Sequence, residues 1–323
     1  MRILSGAKPS GEQLHIGNYL GALKHWVKEQ NSDANNEHFF FIPNLHAITS
    51  LKDGKLLKEY TLNIAAQYLA IGLDPEKSII YVQSDVSYHT ELAWILNCIC
   101  PMGLLERAHS YKDAKAKSKD INVGIFDYPI LMASDILLYQ ANKVPVGKDQ
   151  KQHVEIARDL AAKFNHIYGE VFVLPEAMIS KETETIIGID GQKMSKSYGN
   201  TIGLFEEEKS LKKKIMSIVT DSKGIDEVKD PNTCNVYQLL KHFASEEILK
   251  EVSEKYKSGG IGYGDVKKLL LSSVLNELKD IRKKYIELKD NPKYLESILK
   301  KGAEKANVIA LETMKKVKEK VGY

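Results

Sequence analysis

Hydrophobic positions follow two registers along the chain, and the register changes near residue 205. In the first part, short continuous apolar runs alternate with helical patterns. Ile3-Leu4 opens a strand that leads into a glycine-rich turn and a helix from about Gly17 to Lys28. Phe39-Phe40-Phe41-Ile42 is an unbroken run, as expected of a strand buried on both faces. Lys55 to Leu69 carries Leu56, Tyr60, Ile64 and Tyr68 at helical spacing, and Ser78 to Val82 is a β-branched run. Strands alternating with helices predict parallel βαβ units, and so an α/β fold with a doubly wound, Rossmann-like sheet. Ligands of such sheets bind beyond the carboxyl ends of the strands, which singles out the loops after Leu4 and Ile42.

Beyond residue 205 the pattern is helical only. Leu211, Ile215, Ile218 and Val219 share one face, and Val236 to Val252 reads as a second amphipathic helix. Val266 to Leu288 is a long helix with Leu270, Val274, Leu278 and Ile281 in near register, broken at Asn291-Pro292. A last helix begins at Tyr294 or Gly302 and runs to about Lys320. The expected organisation is a Rossmann-like domain over 1–204 and an all-helical domain over 205–323.

Composition adds little until charge is divided. With 43% hydrophobic and 28% charged residues, the chain resembles an ordinary globular enzyme. No run approaches the roughly 18 apolar residues of a membrane helix, and the N-terminus lacks a signal-peptide apolar core. A cytoplasmic location with no membrane partner is expected. Cys98, Cys100 and Cys234 do not form the paired spacings of a zinc site and read as free, buried thiols. The net charge of +3 is uneven: residues 1–200 hold 21 Lys+Arg against 23 Asp+Glu, and residues 201–323 hold 25 against 20. A basic appended domain suits RNA, while the charge alone fits a Lys-rich solvated helical surface as well; no DNA partner is expected.

Two segments carry candidate chemistry. In the first, Pro9-Ser10-Gly11 precedes His15-Ile16-Gly17-Asn18 at the start of a helix. Glycines admit close approach of backbone to phosphate, and a helix N-terminus offers unpaired N–H groups. His15 and Asn18 are candidate donors to an α-phosphate, with Lys8 as an added charge. In the second, Lys193-Met194-Ser195-Lys196-Ser197 lies between Gly188 and Gly191 on one side and Gly199 on the other. Two lysines three apart can neutralise charge on a departing pyrophosphate, and flanking glycines let such a loop close.

In this order, 178 residues apart from His15 to Lys193, the segments resemble the HIGH and KMSKS motifs of class I aminoacyl-tRNA synthetases. The spacing leaves no room for a large editing domain, as in the small tryptophanyl and tyrosyl enzymes. Tyr128 to Tyr139, with Met132 and Asp135, resembles the substrate helix of the tryptophanyl branch. There the aspartate accepts the indole N–H and the methionine packs on the ring. Val144 to His153 resembles the VGxDQxxH stretch of that branch, and Asn44 to Thr49 its DQHAIT stretch. Thr220-Asp221-Ser222 and Gly302 to Asn307 also match family segments.

The resemblance implies ATP as a substrate with Mg²⁺, no zinc and no organic cofactor. It places ATP against Lys8, Pro9, Ser10, Gly17 and Asn18, against Gly147, Lys148 and Asp149, and against Ile187, Lys193, Met194, Ser195, Lys196 and Ser197. Tryptophan would meet Gly6, His46, Tyr128, Met132 and Asp135, with Val144, Val146 and Gln150. His15, Asn18, Lys193, Ser195 and Lys196 would be catalytic. L-tryptophan, tRNA(Trp) and a second copy of the chain are the implied partners, with the helical domain reading the anticodon. Departures fall at Lys8, Leu4 and Asn44-Leu45, where many bacterial members carry glutamine, an aromatic and Asp-Gln. A basic run at Lys112, Lys115, Lys117 and Lys119 is read as a solvated loop. The alternatives are a tyrosyl enzyme of the same fold, a nucleotidyltransferase with a related site, and a binding paralogue without turnover.

Overall fold

The computed structural model describes residues 1–11, 13–33, 35–116, 121–179 and 186–323, the side chain of Asp149 excepted. Packing divides the chain into two compact units. The first is Met1–Glu12, Trp26–Ser180 and Leu288–Tyr323; the second is Gln13–His25 and Lys181–Glu287. A boundary at residue 204 therefore does not describe the packing. The segment after Leu288 joins the first unit, because its small residues let a helix settle directly on the sheet.

The first unit is built on five strands: β1 (Arg2–Gly6), β2 (Glu37–Ile42), β3 (Ser78–Val82), β4 (Lys143–Pro145) and β5 (Glu176–Met178). Their order is β3-β2-β1-β4-β5 and every pair is parallel. Leu4 stands opposite Phe39, and Phe41 opposite both Gly6 and Tyr81. The chain winds outward from β1 to β3 and returns to β4 on the other side of β1. That reversal is the topological switch point, where the carboxyl ends of β1 and β4 open a ligand crevice. The Ser5 hydroxyl donates to the Pro145 carbonyl at 3.1 Å and ties the two ends together.

Helices cover both faces. Gly54–Ala70 starts at Asp53, whose side chain accepts from the N–H groups of Lys55 and Leu56. Val123–Leu138 starts at Asn122, which accepts from Ile125. Leu4, Phe39, Ile136, Tyr139, Leu160 and Phe164 belong to one buried cluster. The C-terminal helix, Pro292–Val321, is capped by Asn291 with proline in its first turn. A Cβ on Gly302 would fall far inside van der Waals distance of the Ile80 carbonyl oxygen, so helix and strand backbones touch. Ala303, Ala306 and Ala310 complete this narrow stripe within the core. Edge strand β3 is thus covered by a helix, one of the ways proteins protect an edge.

In the second unit, Ile16–Asn18 leads into a π-helical turn, Tyr19–Leu23. Every element between 205 and 323 is helical. Two sequence readings are corrected there. The Glu208–Met216 helix ends before Ile218 and Val219; the Val219 N–H turns away to the Ile189 carbonyl at 2.8 Å. Val236 to Val252 is two helices, Asn235–Leu240 and Glu246–Ser258. Ser245 accepts from the Ile248 N–H and, with Glu246 and Glu247 behind it, starts a new helix. The three cysteines are free, but only Cys234 is buried; Cys98 is exposed and Cys100 half-buried.

Candidate active site

The two signature segments meet inside the second unit. The Ile16 N–H donates to the Ile202 carbonyl at 2.9 Å, and the Leu204 N–H to the Leu14 carbonyl at 2.9 Å. Between these bonds His15 pairs with Gly203 as an antiparallel bridge. The Gly17 N–H points at the Met194 sulfur, 3.3 Å away. A Cβ on Gly17 would stand 2.9 Å from His15 Nδ1 and 3.4 Å from Met194 Cβ, so only glycine fits between them without displacement. Met194 is buried, acting as the apolar anchor of a segment whose lysines are exposed.

His15 is fixed in one protonation state and one tautomer. Its Nδ1 accepts the Asn18 N–H at 3.2 Å, while Asn18 Oδ1 accepts the His15 N–H at 3.0 Å, a reciprocal cap. Burial, and then the positive charge of Lys196, lower its pKa from 6.5 to about 4. The ring is therefore neutral at pH 7, with its proton on Nε2, the nitrogen left to donate. An NMR titration of the ring carbon of His15 is expected to show a midpoint near 4 and no change above pH 6. A midpoint at 6 or higher would contradict this assignment. The unfolded ring takes up a proton at 6.5, before the folded one does, so this stabilising contribution is complete above 6.5 and declines as pH falls towards 4.

Asn200 is the hub of the Lys193–Ser197 segment. Its Oδ1 accepts the Ser195 N–H at 2.8 Å; its amide donates to Asp190 Oδ1 at 2.8 Å and to the Lys193 carbonyl at 3.0 Å. Gly188 lies so close that a Cβ there would be 2.5 Å from the Asn200 amide. Ile187 bridges Lys193 in antiparallel pairing, and Ser195 Oγ accepts the Ser197 N–H at 3.3 Å. The glycine-flanked segment is thus a latched turn rather than a featureless loop. Partial burial of its side chain among these neighbours lowers the pKa of the Lys196 ammonium.

The first unit holds the other expected residues. Asp135 is 1% exposed on the Val123–Leu138 helix. His46, just after β2, meets Asp135 Oδ2 through Nε2 at 2.8 Å. Gln83 Nε2 donates to Oδ1 at 2.7 Å, and His89 Nδ1 meets the same oxygen at 2.6 Å. Burial opposes ionisation of Asp135, yet His46 and His89 outweigh it and hold the carboxyl below its usual range. The Tyr128 ring stands edge-on to His46 at 6.0 Å, and its hydroxyl meets His153 Nε2 at 2.9 Å. His153 Nδ1 meets the Gln150 amide oxygen at 3.1 Å. Met132 and Val146 are half-buried against the core cluster, and Val144 lies within it.

Gly6 closes β1 where a Cβ would be 2.6 Å from the Phe41 carbonyl oxygen. The turn after it is pinned by the Tyr68 hydroxyl, which accepts the Ala7 N–H at 2.6 Å. Pro9 is buried while Lys8 and Ser10 are exposed, as are Gly147 and Lys148 at the end of β4. The side chain of Asp149 lies outside the described residues, as do Lys117 and Lys119; Lys112 and Lys115 are exposed. The expected residues therefore fall into two sets. His15, Gly17, Asn18, Ile187 and Lys193–Ser197 share the second unit; the others share the first. Sequence reasoning missed Gln83, His89 and Tyr139. Gln83 directly follows β3, so the strand-end rule that found His46 would have found it too.

Residues 1–279 match the family model described as tRNA synthetases class I (W and Y). The tryptophan–tRNA ligase of Campylobacter jejuni (strain RM1221) is 51% identical over 322 residues, covering 100% of both chains. That of Fusobacterium nucleatum is 50% identical, over 99% of this chain and 98% of its own. The crystal structure of the Campylobacter jejuni tryptophanyl-tRNA synthetase complexed with ADP and tryptophan superposes with a TM-score of 0.94 at 51% identity, over 100% of each chain. With its two signature segments joined and this likeness running its full length, the chain belongs to the class I tRNA synthetases for tryptophan and tyrosine, and within them to the tryptophan–tRNA ligases.

Proposed function

We propose that the chain activates L-tryptophan with ATP and transfers it to tRNA(Trp). The observation that carries this reading is the joining of His15-Ile16-Gly17-Asn18 to Lys193–Ser197, which brings a neutral imidazole donor and two lysines into one unit. In the first step a tryptophan carboxylate oxygen bonds to the α-phosphorus. The bond to the β-phosphate bridging oxygen breaks, and pyrophosphate leaves with the electron pair. His15 Nε2–H and Asn18 stabilise charge gathering on the α-phosphate oxygens. Lys193, Lys196 and the Ser195 hydroxyl stabilise the departing pyrophosphate. In the second step the terminal adenosine 2′-hydroxyl of the tRNA attacks the acyl carbon and AMP leaves.

Tryptophan is selected because indole is a large apolar plate with a single donor. Asp135 accepts that N–H, with Met132 and Tyr128 against the ring. Asn44-Leu45 in place of the family's Asp-Gln leaves His46 on Asp135, which supports the same pocket. Among the described residues no cluster of three His, Cys, Asp or Glu side chains is arranged to hold a metal. Mg²⁺ would enter with the ATP substrate, liganded by phosphate oxygens and water. The helices over 205–323, whose charge is net basic, suit the anticodon stem-loop, whose unpaired bases can be read by stacking and edge hydrogen bonds. A cytoplasmic homodimer is the expected working form; no helix among the described residues is long and apolar enough to cross a membrane.

ATP–pyrophosphate exchange with tryptophan and tyrosine in parallel tests the reading. Exchange with tryptophan alone, followed by charging of tRNA(Trp), is expected. Exchange with tyrosine alone would move the chain to the sister branch. No exchange from folded protein would leave only a binding role.

A further inference from the structure

We infer that His89, together with Gln83, is a positioning residue that reserves one acceptor site of Asp135 for the ring N–H of the substrate. This deepens the reading above and rests on it. An ionised carboxylate offers about four lone-pair directions. On Asp135, Oδ1 takes two donors, Gln83 Nε2 at 2.7 Å and His89 Nδ1 at 2.6 Å. Oδ2 takes one, His46 Nε2 at 2.8 Å. The inner oxygen is saturated, and one direction remains, on Oδ2. A single vacant acceptor matches a ring with one donor.

The network is held rigidly. An ionised carboxylate has no proton to give, so His89 Nδ1 carries the hydrogen in its bond to Asp135. His89 Nε2 meets the Tyr139 hydroxyl at 3.0 Å. The imidazole stacks on Phe41 with centroids 6.1 Å apart and lies 6.0 Å from the Tyr81 ring and 5.5 Å from the Tyr139 ring. Ser134 Oγ donates to the His89 carbonyl at 2.6 Å and fixes the backbone beside it. Gln83 is oriented in turn, because its Oε1 accepts the Leu45 N–H at 3.1 Å. His89 and Gln83 are fully buried, out of reach of solvent and of any ligand-sized group. Their effect on tryptophan is therefore exerted through Asp135. His46 differs: it is partly exposed and sits on the oxygen that receives the substrate.

Losing the His89 donor leaves Asp135 free to rotate and opens a second acceptor direction, so the carboxylate no longer points its vacancy at the ring. The signature is specific to the N–H. Pyrophosphate exchange is measured with tryptophan and with its benzothiophene isostere, in which sulfur replaces the ring N–H. For H89L, kcat/KM for tryptophan is expected to fall about 10- to 100-fold, chiefly through KM. The isostere should change less than about 3-fold, because it makes no such bond. H89N, whose amide can replace the Nδ1 donor, should recover most of the tryptophan preference. Q83M should show the same selective loss, and it serves in place of H89L if that protein does not fold. Equal losses for both substrates, or no loss for either, would overturn the inference and leave His89 a packing residue. Wild-type protein that fails to exchange with tryptophan would instead overturn the function on which the inference rests.

Discussion

Asparagine at position 135 is expected to lower kcat/KM for tryptophan in pyrophosphate exchange by about 10²- to 10³-fold. The substitution conserves volume, so no cavity accounts for the loss. It fails for two other reasons. Gln83, His89 and His46 all present nitrogen to the Asp135 carboxylate, at 2.7, 2.6 and 2.8 Å. An amide puts an N–H₂ group in place of one of the two acceptor oxygens, so a donor faces either Gln83 Nε2, whose own amide is held by the Leu45 N–H, or the ring N–H of the substrate. It also removes the negative charge that His46 and His89 hold in place against burial. Leaving a buried donor unpaired costs about 1–3 kcal/mol, and pairs that include a charge lie towards the upper end. The melting temperature should fall in parallel, measured on the same preparation. Tyrosine activation should not appear in exchange, because the substitution leaves Met132 and Tyr128, proposed above to lie against the ring, unchanged. A loss below about 10-fold with an unchanged melting temperature would mean that Asp135 neither binds the ring nor organises its neighbours.

Alanine at Gly302 should destabilise the protein by about 3 kcal/mol or more, although it improves helix propensity. Gly302 lies in the interior of the Pro292–Val321 helix, where alanine is ordinarily favoured by about 1 kcal/mol. Against that gain stands the Ile80 carbonyl, which a Cβ would penetrate. Carbon and oxygen sit about 3.3–3.6 Å apart even in close backbone contacts, so the helix must lift from β3. Lifting it withdraws Ala303, Ala306, Ala310, Met314 and Val317 from the core cluster. Urea unfolding of G302A against G264A makes the sign unambiguous. Gly264 opens the Tyr263–Lys289 helix with nothing within 4 Å of its missing Cβ. Alanine there should stabilise by up to about 1 kcal/mol. Similar midpoints for both variants would refute direct backbone contact at Gly302.

The first three strands were legible because burial on both faces writes itself as unbroken apolar runs, as in Phe39 to Ile42, and Ser78–Val82 matches its predicted span residue for residue; the three-residue β4 and β5, Lys-Val-Pro and Glu-Ala-Met, carry no such run. The two signature segments were legible because phosphate chemistry needs glycine, lysine and histidine at short spacings. Other features depend on distant partners. Val219 continues a helical apolar pattern, but the Ile189 carbonyl takes its N–H elsewhere. Cys98 sits in an apolar stretch, yet its position on the Tyr88–Ile99 helix turns it outward. His89 lies 46 residues from Asp135, and no local pattern links them. The Gly302–Ala306 stripe reads equally as a weak helix segment or a close-packing face until its partner, β3, is known.

The C-terminal helix also sets an order of events during synthesis. β3 is complete once Val82 has been made, but its covering helix begins at Pro292, after the whole of 181–287 has been translated. At elongation rates of about 5–20 residues per second, that gap lasts roughly 10–40 s. For that interval the nascent chain carries a bare sheet edge, the feature most prone to pairing with a neighbour on the same message. The first unit is therefore finished last, and its yield in the cell depends on what shields one strand while the second unit is being made.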